Sequence, residues 1–477
     1  MELLDRVRRR LGAVDQTHVL NALPRLSPAE RQALLTQVDG MDLESLPALV
    51  AEYVLKKPGF TMPHRLEPVR YYPHNPRSAV RAWDAAQARR DGDALVRSGR
   101  VAAFVVAGGQ GSRLGFEGPK GCFPAGAVTQ KSLFEIFADA IAGTQERVGG
   151  GVVIPWYIMT SPLNHGATTS FFESHRCFGL RRDQIMFFQQ GVMPSLDIRT
   201  GKMLMASAHE VATNPDGHGG SIRALHVSGA LADMKRRGVE HLSYFQVDNP
   251  LVRVIDPVFL GLHASAPDSS GEMSSKMVAK AEPGEKVGVF CLAEGRTEVM
   301  EYSDMPKDLQ NARNADGNLT YNAGNIAVHA LGRSFVERLA TDAGFTLPCH
   351  RAEKKIACVD PVSGAPVTPN ENNGVKLEKF IFDALALCRQ SLVYETDRIE
   401  EFAPIKNATG VDSAESSRLL QTLRAARWLE AAGVEVPRRP DGTPDCVLEI
   451  SGRTALCPED LRGSRLPRVE RGARVAM

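Results

Sequence analysis

Apolar and polar positions change texture at Val101, where short unbroken apolar runs begin to alternate with amphipathic stretches. "VAAFVVA" (101–107), "VVIPWYIMT" (152–160), "QIMFFQQ" (184–190) and "HLSYFQVD" (241–248) are the runs, and "TSFFESHRCFGL" (169–180) and "SIRALHVSGALADMKRRGV" (221–239) are among the stretches between them. Runs of four to eight apolar residues read as strands, and the amphipathic stretches read as helices. Their alternation predicts an α/β fold with a doubly wound, mostly parallel central sheet. Strands apolar throughout must be covered on both faces. Ligands of such sheets bind at the carboxyl ends of the strands, so the residues following each run carry the functional expectation.

The flanks differ. Residues 1–95 read as a helical N-terminal region in which "LSPAERQALLTQV" supplies a capping box, with Ser27 as N-cap, Pro28 at the first helical position and Glu30 two residues later. The five prolines of "KKPGFTMPHRLEPVRYYPHNP" (56–76) forbid a helix or a central strand, so this stretch is an extended connection. Residues 96–400 form the expected catalytic domain. From 401 to 477 the pattern predicts a small C-terminal domain, with a helix in "SAESSRLLQTLRAARWLEAAG" and two short strands around a Ser-Gly turn in "CVLEISGRTALCPEDL".

Charge narrows the function classes. The 57 Lys and Arg nearly cancel the 56 Asp and Glu, so no global field recruits nucleic acid or an anionic membrane. "MELLDRVRRR" has no apolar segment after it, and no later run approaches about 18 apolar residues, so a cytoplasmic protein is expected. The eight cysteines contain no C-x-x-C pair.

"VVAGGQGSRLGFEGPKG" (105–121) ends the first apolar run in Gly108, Gly109 and Gly111. Missing Cβ atoms let backbone N–H groups converge on a ligand, and phosphate is the guest such loops take. The glycines fit neither G-x-G-x-x-G nor the P-loop, since Gly115 comes one residue late and Pro119 precedes the lysine. What remains is a turn carrying Arg113 and Lys120, two cations able to bracket a polyphosphate. The other polar strand exits admit plainer explanations. Gln189 and Gln190 suit a base edge or a solvated strand end, and "NPDGHGGSIRAL" (214–225) is a tight loop before a helix. Asp248 suits a hard cation or an ordinary Asp-Asn-Pro turn. Glu301, Asn322 and Asn325 suit sugar hydroxyls or strand-end polarity. Lys406 in "FAPIKNA" is by default a surface lysine.

"GGQGSRLGFEGPKG" resembles the signature L-x-G-G-x-G-T-R-L-G-x-x-x-P-K of the eukaryotic-type UDP-sugar pyrophosphorylases, most closely those acting on N-acetylhexosamines, with Ser112 for the usual threonine. "WYIMTS", "FFQQGVMP", "NPDGHGG", "VDNPLV", "VMEYSD", "YNAGNIAVH", "NGVKLEKFIFD" and "FAPIKNA" follow in the family's order across about residues 100–410. The resemblance implies a nucleotidyltransferase fold and uridylyl transfer from UTP to an N-acetylhexosamine 1-phosphate, giving the UDP-sugar and pyrophosphate. It implies that Gln190 and Gly217 meet uracil, that Asp248 meets Mg²⁺, and that Glu301, Tyr302 and Asn325 surround the hexose. Lys406 would reach the phosphates from a junction between domains. At His218 the family's hexosamine enzymes often carry asparagine and its glucose enzymes histidine. "NAGN" (322–325), with small Ala323 and Gly324, argues for acetamido space, and His218 is expected to rotate aside. UDP-glucose or broad-specificity activity is the alternative. A metal-dependent glycosyltransferase would normally offer D-x-D, whereas "VDNP" provides a single aspartate, and a non-catalytic nucleotide-sugar binder would not need Arg113, Lys120, Asp248 and Lys406 together.

Overall fold

The computed structural model describes residues 2–477 except 58, 60, 343 and 362. The chain forms two compact units that interleave in sequence. One comprises Met1–Met62, Gln190–Ser221 and Thr346–Asp383, and the other Pro63–Gln189, Ile222–Phe345 and Ala384–Met477. Contacts thus group the chain differently from the three consecutive segments expected. Pairings between residues far apart in sequence, such as that of Leu196–Asp197 with Gly374–Lys379, draw two segments of the expected catalytic domain into the first unit.

In the larger unit, Val101–Val106, Trp156–Thr160, Ile185–Gln189 and His241–Gln246 are strands, and neighbouring members of this set pair in parallel. They form one end of a 10-stranded sheet, with Ile185–Gln189 at the edge, and antiparallel strands extend it beyond His241–Gln246, beginning with Ala323–Gly332. Helices cover both faces. Phe245 packs edge-to-face on Phe137 of helix Leu133–Val148, centroids 5.1 Å apart. Tyr157, which points opposite to Trp156 and Ile158, donates a hydrogen bond to Asp233 of helix Ala230–Arg236 at 2.7 Å. Phe134, Phe137, Trp156, Phe172 and Phe245 are all buried, each contributing about 1.5–3 kcal/mol by leaving water.

Among its described residues the proline-rich connection forms one strand, Leu66–Pro68, paired antiparallel with Val289–Ala293 at the sheet edge, and Tyr72 bridges in parallel to Tyr394. An edge is where a proline costs no ladder hydrogen bond. At the C-terminal end, Ala414–Ala431 is a helix capped by Ser413, and a separate apolar cluster gathers Ala425, Trp428, Leu429, Leu448 and Leu461. The second strand expected around the Ser-Gly turn is not there. Val447–Glu449 pairs in parallel with Arg474–Ala476, while Pro458–Leu461 is a short helix because Pro458 takes its first position and Asp460 caps it backwards.

In the smaller unit, Glu2–Ala13 and Pro28–Asp39 are helices, the second opened by the anticipated Ser27–Glu30 capping box. Their apolar faces, including Val7, Leu11, Leu34 and Val38, bury against Leu196, Met205, Val375 and Leu377 of short strands. Among the described residues no helix is long and apolar enough to cross a membrane.

Candidate functional site

The glycine-rich segment leaves the carboxyl end of Val101–Val106 and folds back on itself. Gly111 donates its N–H to Gly118 O at 2.9 Å, and Lys120 donates to Gly109 O at 3.0 Å. A Cβ at Gly111 would lie 2.6 Å from the Phe116 ring, so only glycine permits this closure. Asn164, fully buried, pins the loop from behind by donating its amide to Ala107 O at 2.9 Å and Gly109 O at 3.2 Å. Among the described residues nothing in the protein accepts from the N–H groups of Gly108 and Gly109, leaving them for an anion. Arg113 stands exposed on the short turn Ser112–Leu114, while Lys120 is drawn inward, its Nζ 4.0 Å from Asp248 Oδ2.

Asp248 follows strand His241–Gln246, and its position is over-determined. Its carbonyl accepts from Ile405 N–H at 2.8 Å, and the amide of Asn249 donates to Glu401 O at 2.7 Å and accepts from Ala403 N–H at 3.0 Å. These bonds zip residues 401–405 to the Asp248 turn and so place Lys406, whose own N–H donates to Asp412 O. Lys406 therefore belongs to the same unit as Asp248 and sits on anchored backbone, not at a movable junction. Beneath this zipper Lys276, with no exposed surface, donates to Asp256 at 2.7 Å and to both Glu401 oxygens at 2.5 and 2.7 Å. Burial alone would raise the Asp256 pKa; Lys276 and Arg253 more than reverse this, holding it below the usual carboxylate value.

Asp248, Lys406, Asn325 and Gln246 line one cavity of about 40 Å³. Asn325, expected at a strand end or turn, lies near the start of strand Ala323–Gly332, beside the register shift between Ser275 and Met277, where its side chain accepts from Ala327 N–H at 2.8 Å. That bulge re-aims the strand, as bulges near sites do. Glu301 comes to the same place from strand Arg296–Met300. Asn325 donates its backbone N–H to Gly288 O at 2.8 Å, and a Cβ on Gly288 would meet Glu301 Oε1 at 3.3 Å, so the Asn325 backbone and the Glu301 side chain meet at one glycine. Tyr302 beside them is exposed. The acetamido-space argument from "NAGN" fails here. Ala323 is buried, and a Cβ on Gly324 would press Val278 O at 3.1 Å and Val287 at 3.2 Å, so these small residues serve strand packing.

The smaller unit holds the remaining expected residues. Gln190 is 7 % exposed, and its side-chain amide makes no hydrogen bond among the described residues, whereas Gln189 is exposed. A buried amide without a protein partner is the better candidate for reading a base. Gly217 has φ 85°, and a Cβ on it would lie 2.4 Å from Lys379 O, so the loop's glycine permits backbone-on-backbone packing against Gly374–Lys379. His218 does not rotate aside. Its ring stacks on Phe380 at 5.0 Å and 9°, and its Nδ1 accepts from Ile381 N–H at 3.1 Å. Burial, with His350 adding to it, lowers its pKa to about 4, so the ring is neutral with its proton on Nε2. Asp216, framed by Gly191 and Gly220 whose Cβ atoms would clash with it, has its pKa raised by burial to about 6, and its Oδ1 is buried without a partner.

In chemical terms the larger unit converges two cations, one carboxylate and two amides on the carboxyl ends of its strands, with free N–H groups alongside. No triad of nucleophile, base and orienting acid is among the described groups at this place, and no cluster of three metal-ligating side chains either. Among the described residues Asp248 accepts no hydrogen bond from a side chain, and it is the one carboxylate lining this cavity. One carboxylate suffices for Mg²⁺, which keeps waters and takes further ligands from substrate phosphates. Sequence reasoning missed Asn164, Asn249, Lys276 and Glu401. The first two carried a faint signal as polar residues opening turns, "PLNH" and "VDNP"; the pair Lys276–Glu401 carried none.

The family profile described as UTP--glucose-1-phosphate uridylyltransferase matches residues 70–428. The chain is 34% identical over 480 residues to the UDP-N-acetylhexosamine pyrophosphorylase-like protein 1 of Mus musculus, covering 95% of this chain and 93% of that protein. It is 38% identical over 371 residues to the UDP-N-acetylglucosamine pyrophosphorylase of Saccharomyces cerevisiae, covering 77% and 76%. Its fold is similar to the crystal structure of the uridine diphosphate N-acetylglucosamine pyrophosphorylase from Trypanosoma brucei in complex with inhibitor, with TM-score 0.81, 28% identity, and coverage of 97% of this chain and 94% of that one.

Proposed function

The chain belongs to the UTP--glucose-1-phosphate uridylyltransferase family, and from that premise we propose that it joins UTP to N-acetylglucosamine 1-phosphate, giving UDP-N-acetylglucosamine and pyrophosphate. The observation that carries the reading is the convergence of Lys120, Asp248, Lys406 and Asn325 beside a glycine loop with free N–H groups.

An oxygen of the sugar phosphate attacks the α-phosphorus of UTP as the bond to the β-phosphate oxygen breaks, and pyrophosphate leaves. The attacking group is already an anion, so no side chain need supply a nucleophile or remove a proton. Catalysis is alignment and neutralisation of charge on moving oxygens. Arg113 and Lys120 hold the β- and γ-phosphates, helped by the N–H groups of Gly108 and Gly109, and Lys406 meets the incoming phosphate. Asp248 is the residue to hold Mg²⁺, which when bound supplies positive charge at the phosphate oxygens. Gln190 and Gly217 are assigned to uracil, and Glu301, Tyr302, Asn325 and the Nε2–H of His218 to the hexose. Zipped to the Asp248 turn, Lys406 needs no domain movement to act.

The hexose rests on the relatives named for UDP-N-acetylglucosamine, since Ala323 and Gly324 pack strands and His218 is fixed. All eight cysteines are free thiols, which suits a reducing compartment, and we place the protein in the cytoplasm. The test is incubation with Mg²⁺, UTP and, separately, the 1-phosphates of GlcNAc, GalNAc, glucose and galactose, following pyrophosphate and UDP-sugar. Roughly 10- to 100-fold higher kcat/KM is expected for GlcNAc 1-phosphate over glucose 1-phosphate, the discrimination one pocket feature gives. Comparable kcat/KM with glucose 1-phosphate would move the reading to a UDP-glucose enzyme.

A further inference from the structure

A cavity of about 260 Å³ lies inside the larger unit, away from the glycine loop. It is walled by helices Ala85–Arg97, Leu133–Val148 and Ala414–Ala431 and by residues 250–258 and 449–460. Its size is close to the lower end of small-molecule pockets, about 300 Å³. The lining is half apolar in character, with Phe137, Val252 and Trp428 among its walls.

The charges on its surface do not balance locally. Arg89, Lys131 and Arg147 are satisfied by Asp93 at 3.1 Å, Asp139 at 2.6 Å and Asp460 at 2.9 Å. Of the lining carboxylates left, Asp256 is taken by Lys276, and Glu449 accepts from Val128 N–H at 2.7 Å and Thr129 N–H at 2.9 Å. Two cations remain. Arg97, exposed, forms no ion pair among the described residues. Arg424 forms none either. Its Nη1 makes only long bonds to Leu251 O at 3.3 Å and Glu400 O at 3.4 Å, and its guanidinium lies 5.0 Å over the Trp428 ring. Burial lowers the Arg424 pKa to about 10, and the negative charges of Glu400 and Glu401 offset this only in part. Arg253 adds a buried Nε without a partner.

We propose that this cavity is a second ligand site, taking a compact organic anion whose carboxylate or phosphate head meets the Arg424 fork and whose apolar body fills the space beside Phe137 and Trp428. A planar guanidinium with unused donors recognises either head group through paired hydrogen bonds. The occupant supplies the direct ion pair that Arg424 lacks among the described residues, at a point where Arg424 already spans the carbonyls of Leu251, just after the Asp248 turn, and Glu400, just before the segment leading to Lys406. This inference is independent of the reaction assigned above.

Benzoate and phenyl phosphate test it, with benzyl alcohol as the uncharged control, by calorimetric titration of the full chain. Wild type and Arg113→Ala should bind at least one of the two anions alike, and the tighter of them identifies the head group. Arg424→Met should bind at least about tenfold more weakly, the loss of one charge-assisted pair. Benzyl alcohol should bind wild type at least about tenfold more weakly than the better anion. Arg97→Gln, at an exposed position that does not threaten folding, should weaken binding several-fold and decides the matter if Arg424→Met fails to fold. Undiminished binding in these variants, equal binding of benzyl alcohol, loss of binding in Arg113→Ala, or no binding of either anion would overturn the proposal.

Discussion

Replacing Lys276 with methionine probes the brace beneath the candidate site. The ammonium has no exposed surface and makes three hydrogen bonds of 2.5–2.7 Å to Asp256 and Glu401, both at most 5 % exposed as side chains. Methionine keeps much of the volume but leaves two buried carboxylates facing each other, with Arg253 and Arg424 nearby to compensate in part. Breaking a buried pair in this way costs about 3–5 kcal/mol, more than the pair contributes over a well-packed apolar substitute, because the stranded charges bear the penalty. The double variant Lys276→Met/Glu401→Gln removes one stranded charge and should recover part of the loss, so the two changes are non-additive. Urea denaturation at pH 7, followed by tryptophan fluorescence, measures both. Since Glu401 O and Ala403 N–H are the anchors of the Asp248 turn, kcat should fall while the protein remains folded at low urea. A loss under about 1 kcal/mol for Lys276→Met, or strict additivity with Glu401→Gln, would refute the brace.

Lys120→Ala and Arg113→Ala should each lower kcat on the order of 10²-fold, as loss of a transition-state donor does, with an unchanged melting profile; steady-state pyrophosphate release measures it. Asp248→Asn should lower activity sharply and regain part of it as Mg²⁺ is raised, and undiminished wild-type activity in chelator would exclude the metal assignment. His218, His241 and His263 have pKa values lowered by burial to about 4, 4 and 3, below the unfolded value near 6.5. The unfolded chain binds their protons first, so their stabilisation is complete above about pH 6.5 and lost as pH falls through about 4; urea midpoints from pH 7 to pH 4 should fall accordingly. Asp216, raised by burial to about 6, acts in the opposite sense, and Asp216→Asn should raise the unfolding free energy from urea titration at pH 8 by on the order of 2–3 kcal/mol and much less at pH 4.

The sheet and the glycine loop were legible because their signals are local. Unbroken apolar runs mark strands buried on both faces, and glycines, Pro119 and Lys120 stand within one turn of chain. Asp248 was legible for the same reason, at the exit of an apolar strand. Long-range pairings were not. Lys276 and Glu401 meet across 125 residues, and no periodicity in either segment announces the other. His218 looked free because its loop is glycine-rich, yet Phe380 and Ile381, far along the chain, fix its ring. "NAGN" looked spacious for the same cause: small residues signal close approach, and the sequence does not say whether ligand or neighbouring strand makes it. The partner of Val447–Glu449 was missed because it lies at Arg474–Ala476, beyond a proline-bearing segment that breaks the alternation.

The proposed transfer is direct and in line, assisted by cations and backbone N–H groups, without a covalent enzyme intermediate. It is tested by the stereochemical course at the α-phosphorus. The enzyme is given Mg²⁺, GlcNAc 1-phosphate and UTP carrying one sulfur at the α-phosphorus in a single known configuration, and the configuration of the UDP-GlcNAc thio-analogue is read by phosphorus NMR. A single displacement predicts clean inversion with pyrophosphate as co-product. Retention, which requires two displacements and hence an enzyme-bound uridylyl group, would contradict the account.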